Sequence, residues 1–305
     1  MKILVTGGAG FIGSHVVEEF QNKAEIIVLD NFSTGKPENL SGLNYRLIEG
    51  CILNRNAVKE AVKGIDYIFH FAAKISVVES MEKPIEYVRT NAEGALIVLE
   101  EAASAGVKKL CFSTSAAVYG ENPESPKKET MTPSPLSPYA ITKLDGEYYC
   151  DMFSREGKLK TACLRYFNVF GPRQDPTSQY AAAVPIFISR AVAGKEIFIY
   201  GDGEQTRDFV YVKDVVAANI FLSTSPATGV FNVAYGAKTT VNDLVQMIIK
   251  ATKSTSKVIH KPERPGEIKH SMASIDKLLS IGFKPGSSFM EGLEKTIEFF
   301  KNKAR

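Results

Sequence analysis

At 305 residues, with 44% hydrophobic and 23% charged residues and a net charge of +3, the chain has the composition of an ordinary globular protein, one large or two closely joined domains. There is no long basic run and no apolar run of about 18 residues, and the chain enters a strand directly, so neither nucleic acid, a membrane anchor nor a signal peptide is expected. The four cysteines (Cys51, Cys111, Cys150 and Cys163) form no C-x-x-C pair and have no histidine at metal-ligand spacing, so free buried thiols in a reducing cytoplasm are expected, and no metal site.

The first element is the apolar run Lys2-Ile3-Leu4-Val5, which stops in glycines, followed by Phe11, Ile12, Val16, Val17 and Phe20 at helical spacing. Strand, glycine turn and helix together make a phosphate cradle, because glycines let backbone approach a pyrophosphate and the helix dipole favours its charge. The spacing Gly7-x-x-Gly10-x-x-Gly13 is a dinucleotide fingerprint with its first gap widened by one residue, and alone it reads equally as a plain tight turn. The next strand, Ala24 to Leu29, ends in Asp30. A carboxylate there can hold the two adenosine-ribose hydroxyls of NAD and repel the 2′-phosphate of NADP, so the two features together predict bound NAD.

After Asp30, Asn31-Phe32-Ser33-Thr34-Gly35-Lys36-Pro37 has loop composition and is placed to fold over the adenosine. Tyr45 to Glu49 reads as a third strand, Asn54 to Lys63 as a short helix, and Asp66 to Phe71 as a fourth strand ending in Ala72 and Ala73. Pro84 opens a helical pattern to about Ala105, with Gly106 as its stop; Lys108 to Ser113 is a fifth strand, Tyr139 to Glu156 a long helix, and Lys160 to Tyr166 a further strand. The alternation predicts an α/β fold, a doubly wound parallel sheet of the Rossmann type with ligands at the strands' C-terminal ends. Residues 1–166 are expected to form the dinucleotide domain and 167–305 a smaller α/β lobe closing a cleft, with some later segments returning to the first domain. The last helix, about Ser288 to Lys303, carries Phe289, Leu293, Ile297 and Phe300 as a core stripe.

Ser137-Pro138 starts a helix, with serine as cap and proline at the first position, and puts Tyr139 and Lys143 on one face. An adjacent ammonium favours the phenolate, and a drop of roughly 3 units would make tyrosine a usable base. The plain alternative is an exposed helical pair. Ser115, at the end of the fifth strand, could share a proton with a substrate hydroxyl while Tyr139 removes it.

With the glycine turn, Asp30, Ser115 and Tyr139-x-x-x-Lys143, the chain resembles the extended short-chain dehydrogenase/reductase family over essentially its whole length, and within it the nucleotide-sugar epimerases, particularly UDP-hexose 4-epimerases. The resemblance implies that Tyr139 deprotonates a sugar 4-hydroxyl, hydride passes to NAD, and the 4-keto sugar turns over and takes the hydride back. It also implies that Ile52, Phe71, Ala72, Ala73, Tyr166, Tyr139 and Lys143 join the loop residues and Cys51 around NAD. Asn168 would meet the diphosphate, Ser76 and Val77 the sugar, and Val184 and Tyr200 the uridine; Arg207 and Arg264 would bind phosphate and Glu267 the uridine ribose. Taken singly, each arginine reads as a solvated charge.

Two contrasts narrow this reading. Related 4,6-dehydratases carry Asp-Glu after the catalytic hydroxyl residue, and decarboxylases usually keep the glutamate, whereas Ala116-Ala117 stand here. At the position that controls room around the sugar C2 substituent, Ser271 is small, which predicts UDP-N-acetylglucosamine as a substrate beside UDP-glucose. One departure concerns the cofactor: Cys51 stands where the family commonly has an aspartate that accepts from adenine, and a thiol accepts poorly, so NAD retention is expected to weaken. The competing readings are a family member that turns NAD over in a net oxidation or reduction, and a catalytically silent NAD-binding regulator. The family also implies a homodimer through the helices at about Pro84 to Ala105 and Tyr139 to Glu156.

Overall fold

The computed structural model of the chain describes residues 1–177, 182–263 and 269–303. Strands and helices alternate through β1 (Lys2–Thr6), α1 (Phe11–Glu19), β2 (Glu25–Asp30), β3 (Arg46–Glu49), α2 (Arg55–Ala61), β4 (Tyr67–His70), α3 (Val77–Glu82), α4 (Pro84–Tyr87), α5 (Gly94–Ser104), β5 (Lys109–Ser115), α6 (Pro138–Arg155) and β6 (Lys160–Tyr166). Then come β7 (Asn168–Phe170), α7 (Ala183–Val192), β8 (Ile197–Tyr200), β9 (Thr206–Arg207), β10 (Phe209–Tyr211), α8 (Val212–Thr224) and β11 (Gly229–Val233). The chain closes with β12 (Thr239–Thr240), α9 (Val241–Thr252), β13 (Val258–Lys261), α10 (Asp276–Ser280) and α11 (Phe289–Lys303).

Seven strands form one parallel sheet in the order β11-β6-β5-β4-β1-β2-β3. The direction of winding reverses between β1 and β4, and that switch point opens a crevice at the strands' C-terminal ends. This is the doubly wound Rossmann arrangement. The middle strands read as unbroken apolar runs because both sheet faces are covered. Val16 and Val17 of α1 pack with Val215, Val216 and Leu222 of α8 on one face. On the other lie Val58 of α2, Val98 and Leu99 of α5, and Cys150 and Phe153 of α6.

A third core joins α7, α9 and α11, where Leu293, Ile297 and Phe300 are buried as their spacing predicts, beside a partly buried Phe289. Although α8 and β11 lie beyond residue 167, both build the main sheet layer, so the chain leaves that layer after β6 and returns to it. Two local features have no counterpart in the predicted elements. Ser76 caps the six-residue α3 by accepting from the Glu79 amide at 3.0 Å. Between α4 and α5, the helix predicted from Pro84 to Ala105 widens into a π-helical turn over Val88–Glu93.

Candidate active site

At the crevice, β1 is followed at once by Gly7, with φ +69°. A Cβ there would stand 2.7 Å from the Ala72 amide nitrogen, and one on Gly13 would stand 2.3 Å from the Gly7 carbonyl oxygen, so only bare backbone fits. Gly10 is the N-cap of α1 and offers no side-chain cap, and the first turn holds no acidic residue. The amides of Phe11, Ile12 and Gly13 therefore face an anion with neither competitor nor countercharge. Asp30, at the tip of β2, accepts from the Ala9 amide at 2.9 Å and the Phe32 amide at 2.8 Å, which leaves lone pairs for two further hydroxyls. The Asn31–Gly35 loop passes over it, so that a Cβ on Gly35 would lie 3.0 Å from both carboxylate oxygens. Ser33 closes an Asx turn by donating its amide to Asn31 Oδ1 at 3.1 Å, Thr34 is exposed, and the Lys36–Asp175 ion pair at 2.6 Å ties the loop to the far wall. The cradle and the carboxylate both fit a dinucleotide without a 2′-phosphate.

Around this cradle, Phe71, Ala72 and Ala73 are half-buried at the end of β4, with the Ala72 amide donating to Thr6 Oγ1 at 3.3 Å. Cys51 is half-buried, and Ile52 is buried under Gly94 of α5. Tyr166 faces the core, where its hydroxyl meets Asn219 Oδ1 at 3.1 Å, leaving its backbone as what it can offer the crevice.

The predicted catalytic trio comes from two elements. Ser115 ends β5, and Tyr139 and Lys143 lie on the first turns of α6, whose Ser137 cap accepts from the Ala140 amide at 3.2 Å. The Ser115 hydroxyl lies beside the Tyr139 phenol and accepts from the Ala117 amide at 3.2 Å. Lys143 donates to the Ser113 carbonyl at 2.8 Å, with its Nζ 5.3 Å from the centre of the Phe112 ring. Here the structure corrects the sequence reading of the phenol: burial raises the Tyr139 pKa, and the neighbouring Ser115 hydroxyl only partly opposes this. Burial also lowers Lys143, to about 8. The adjacency argument counted attraction between the pair but left out the loss of water around both groups.

Most of the residues predicted to meet the substrate lie beyond β6. Asn168 opens β7, Arg207 ends β9, and Tyr200 ends β8. Arg207 donates to the carbonyls of Thr206 at 3.0 Å and Lys269 at 3.2 Å, so it is built into its strand rather than loose in solvent. The Ser271 amide donates to the Thr206 carbonyl at 3.1 Å, which sets this residue beside Arg207. Val184 is buried in the lobe core, and Val77 stays exposed beside Ser76. Arg264 and Glu267 lie outside the described residues.

Residues 3–234 match the model of the NAD dependent epimerase/dehydratase family. The chain belongs to that family. Among solved structures it is similar to a UDP-N-acetylglucosamine 4-epimerase from Methanobrevibacter ruminantium, solved with UDP-N-acetylmuramic acid (42% identity, 99% and 98% of the two chains, TM-score 0.96). A UDP-glucose 4-epimerase from Thermotoga maritima, solved with UDP-glucose, is similar at 42% identity over the full length of both chains, with TM-score 0.95. A UDP-N-acetyl-alpha-D-glucosaminuronate decarboxylase from Bacillus cytotoxicus is 36% identical over 98% of this chain and 98% of its own.

Because the family includes dehydratases, the turn after Ser115 matters. Ala116 and Ala117 open a short 3-10 helix there and carry no acid or base toward the trio. The local motifs missed three supports of the site. Asn91, in the π-helical turn, accepts from the Lys74 amide at 2.8 Å and donates to the Lys74 carbonyl at 2.9 Å and Thr142 Oγ1 at 3.1 Å, so it ties the end of β4 to the catalytic helix. Glu147 of α6 accepts from Arg165 at 2.9 and 2.7 Å and from Thr114 at 2.7 Å, in a fully buried ion pair. His70 meets Thr6 Oγ1 at 2.8 Å and is held neutral, its pKa lowered to about 3 by burial and the Lys143 charge.

Proposed function

We propose that this family member is a UDP-hexose 4-epimerase that accepts UDP-glucose and UDP-N-acetylglucosamine and keeps NAD through the cycle. The observation that carries the reading is a Ser115–Tyr139–Lys143 trio beside the glycine cradle with no acid or base at 116 and 117. NAD supplies a hydride acceptor and donor. Tyr139, as the phenolate, takes the proton of the sugar 4-hydroxyl, and Ser115 beside it holds that oxygen and bridges the transfer. Lys143 places a positive charge next to the phenolate that accepts this proton. The same phenol returns the proton once the hydrogen at C4 has been restored on the opposite face, so the products balance with no net redox. Phosphate contacts fall to Arg207 and Arg264 and diphosphate to Asn168, with Ser271 leaving room at C2.

Two further parts belong to this reading. Val78, Met81, Ile85, Ile141, Tyr148 and Met152 are exposed apolar or aromatic residues on α3, α4 and α6, the surface a homodimer would cover. No helix among the described residues is long and apolar enough to cross a membrane, and four free thiols suit the cytoplasm. The chromatographic test incubates purified protein with UDP-glucose and with UDP-N-acetylglucosamine, with Tyr139→Phe as control. A galacto isomer from the wild type alone supports the reading. A 4-keto product that accumulates, or any product formed only with stoichiometric NAD turnover, refutes it in favour of the net-redox alternative.

A further inference from the structure

Asp208 stands between β9 and β10 and is fully buried. Its Oδ1 accepts from the amides of Tyr235 at 2.8 Å and Gly236 at 3.2 Å, and its Oδ2 from those of Gly236 at 3.1 Å and Ala273 at 3.1 Å. Its own carbonyl accepts from the Asn168 amide at 3.1 Å. Among the described residues no cationic side chain pairs with it, and burial raises its pKa to about 6 against these amide bonds. A carboxylate taken out of water without a countercharge is costly, and this one is compensated only by backbone donors from separate segments.

Those segments are the ones that carry the substrate residues. Arg207 is its neighbour in the chain, Asn168 is bonded to its carbonyl, and Ser271 lies two residues before Ala273. The Tyr235–Gly236 turn follows β11 of the main sheet, so Asp208 also joins the smaller lobe to the layer that holds the cradle. The 271–274 segment has a second anchor, since the Lys127 amide donates to the Met272 carbonyl at 2.8 Å and the Ser274 amide to the Lys127 carbonyl at 2.9 Å. The Lys127 contacts fix the segment's far edge, whereas the Ser271–Thr206 backbone bond and the Asp208–Ala273 bond together hold it against the strand of Arg207.

We propose that Asp208 is a positioning residue for nucleotide-sugar recognition: its carboxylate holds the Ser271 segment and the Tyr235–Gly236 turn against the strand that presents Arg207. The inference rests on the reading of Arg207 and Ser271 as substrate contacts. Asp208→Asn keeps the shape but turns an amide donor toward backbone donors, and Ala273→Pro removes the donor that Asp208 Oδ2 takes from that segment while leaving the carboxylate in place. KM for UDP-N-acetylglucosamine should rise at least about tenfold in Asp208→Asn. UDP should bind more weakly by a similar factor in calorimetry. The kcat should stay within about threefold and NAD affinity should be unchanged, with Ala273→Pro moving in the same direction. Wild-type protein that binds no UDP would refute the reading beneath the proposal, whereas UDP binding that is equal in wild type and Asp208→Asn would overturn the proposal itself. So would kcat and NAD affinity falling as far as KM rises, or failure of both variants to fold, since Asp208 would then support the fold at large.

Discussion

Replacing Lys143 by methionine separates the charge from the packing at the centre of the site. The side chain is 4% exposed and sits over the Phe112 ring, so a thioether of similar length fits the slot. Burial lowers the ammonium from 10.5 to about 8, which corresponds to about 3 kcal/mol by which the folded protein disfavours the charge. Methionine removes that cost together with one hydrogen bond to Ser113, worth roughly 1.5–3 kcal/mol for a charged donor, so the variant should be no less stable than the wild type. Catalysis should move the other way. A unit charge about 6 Å away along a helix face, at an effective dielectric constant of about 20, is worth roughly 2.8 kcal/mol to the phenolate, or about 100-fold in its population. The kcat at pH 7 and saturating NAD is therefore expected to fall about 100-fold with KM for the UDP-sugar nearly unchanged. The pH profile sharpens the test. Lys143 loses its charge as pH rises through about 8, so the wild-type rate should fall above that pH, and the limb should vanish in the variant. A loss of less than about fivefold, a limb that persists in Lys143→Met, or a melting temperature that drops along with activity would refute this account of the lysine.

Other outcomes follow from the same geometry. Glu147→Ala leaves Arg165 charged and buried, which should cost about 3–5 kcal/mol, while the double change Glu147→Leu with Arg165→Met should recover most of it; denaturant titrations of the three proteins measure both. Gly13→Ala drives a methyl to 2.3 Å from the Gly7 carbonyl oxygen, so NAD affinity measured by calorimetry should fall at least about tenfold while UDP affinity is kept. Ser271→Tyr should slow turnover of UDP-N-acetylglucosamine more than that of UDP-glucose; an equal effect on both would remove Ser271 from the C2 pocket.

What was legible in the sequence was local. The glycine turn, Asp30 and the Ser137-Pro138 helix start each declare themselves within a few residues, and the structure forms each where its chemistry predicts. What was not legible depends on partners far apart in the chain. β11 reaches β6 across a lobe with its own core, and no nearby pattern announces that return. Asn91 reads as one polar residue inside a helical pattern until the π-helical turn aims it at Lys74 and Thr142. The Glu147–Arg165 pair and the Asp208 carboxylate look like ordinary surface charges in sequence, and only burial reveals their roles. The direction of the Tyr139 shift was missed for a related reason: helical spacing states which groups are neighbours but says nothing of the water they lose.

The most direct test of the epimerase account is proton NMR of UDP-glucose and UDP-N-acetylglucosamine incubated separately with the purified enzyme in deuterated water. If Tyr139 handles only the hydroxyl proton and the hydrogen removed from C4 is the one returned, the galacto isomer should appear with its C4 position fully protonated. Deuterium at C4, or sugar that remains unepimerised while NAD is bound, would contradict it.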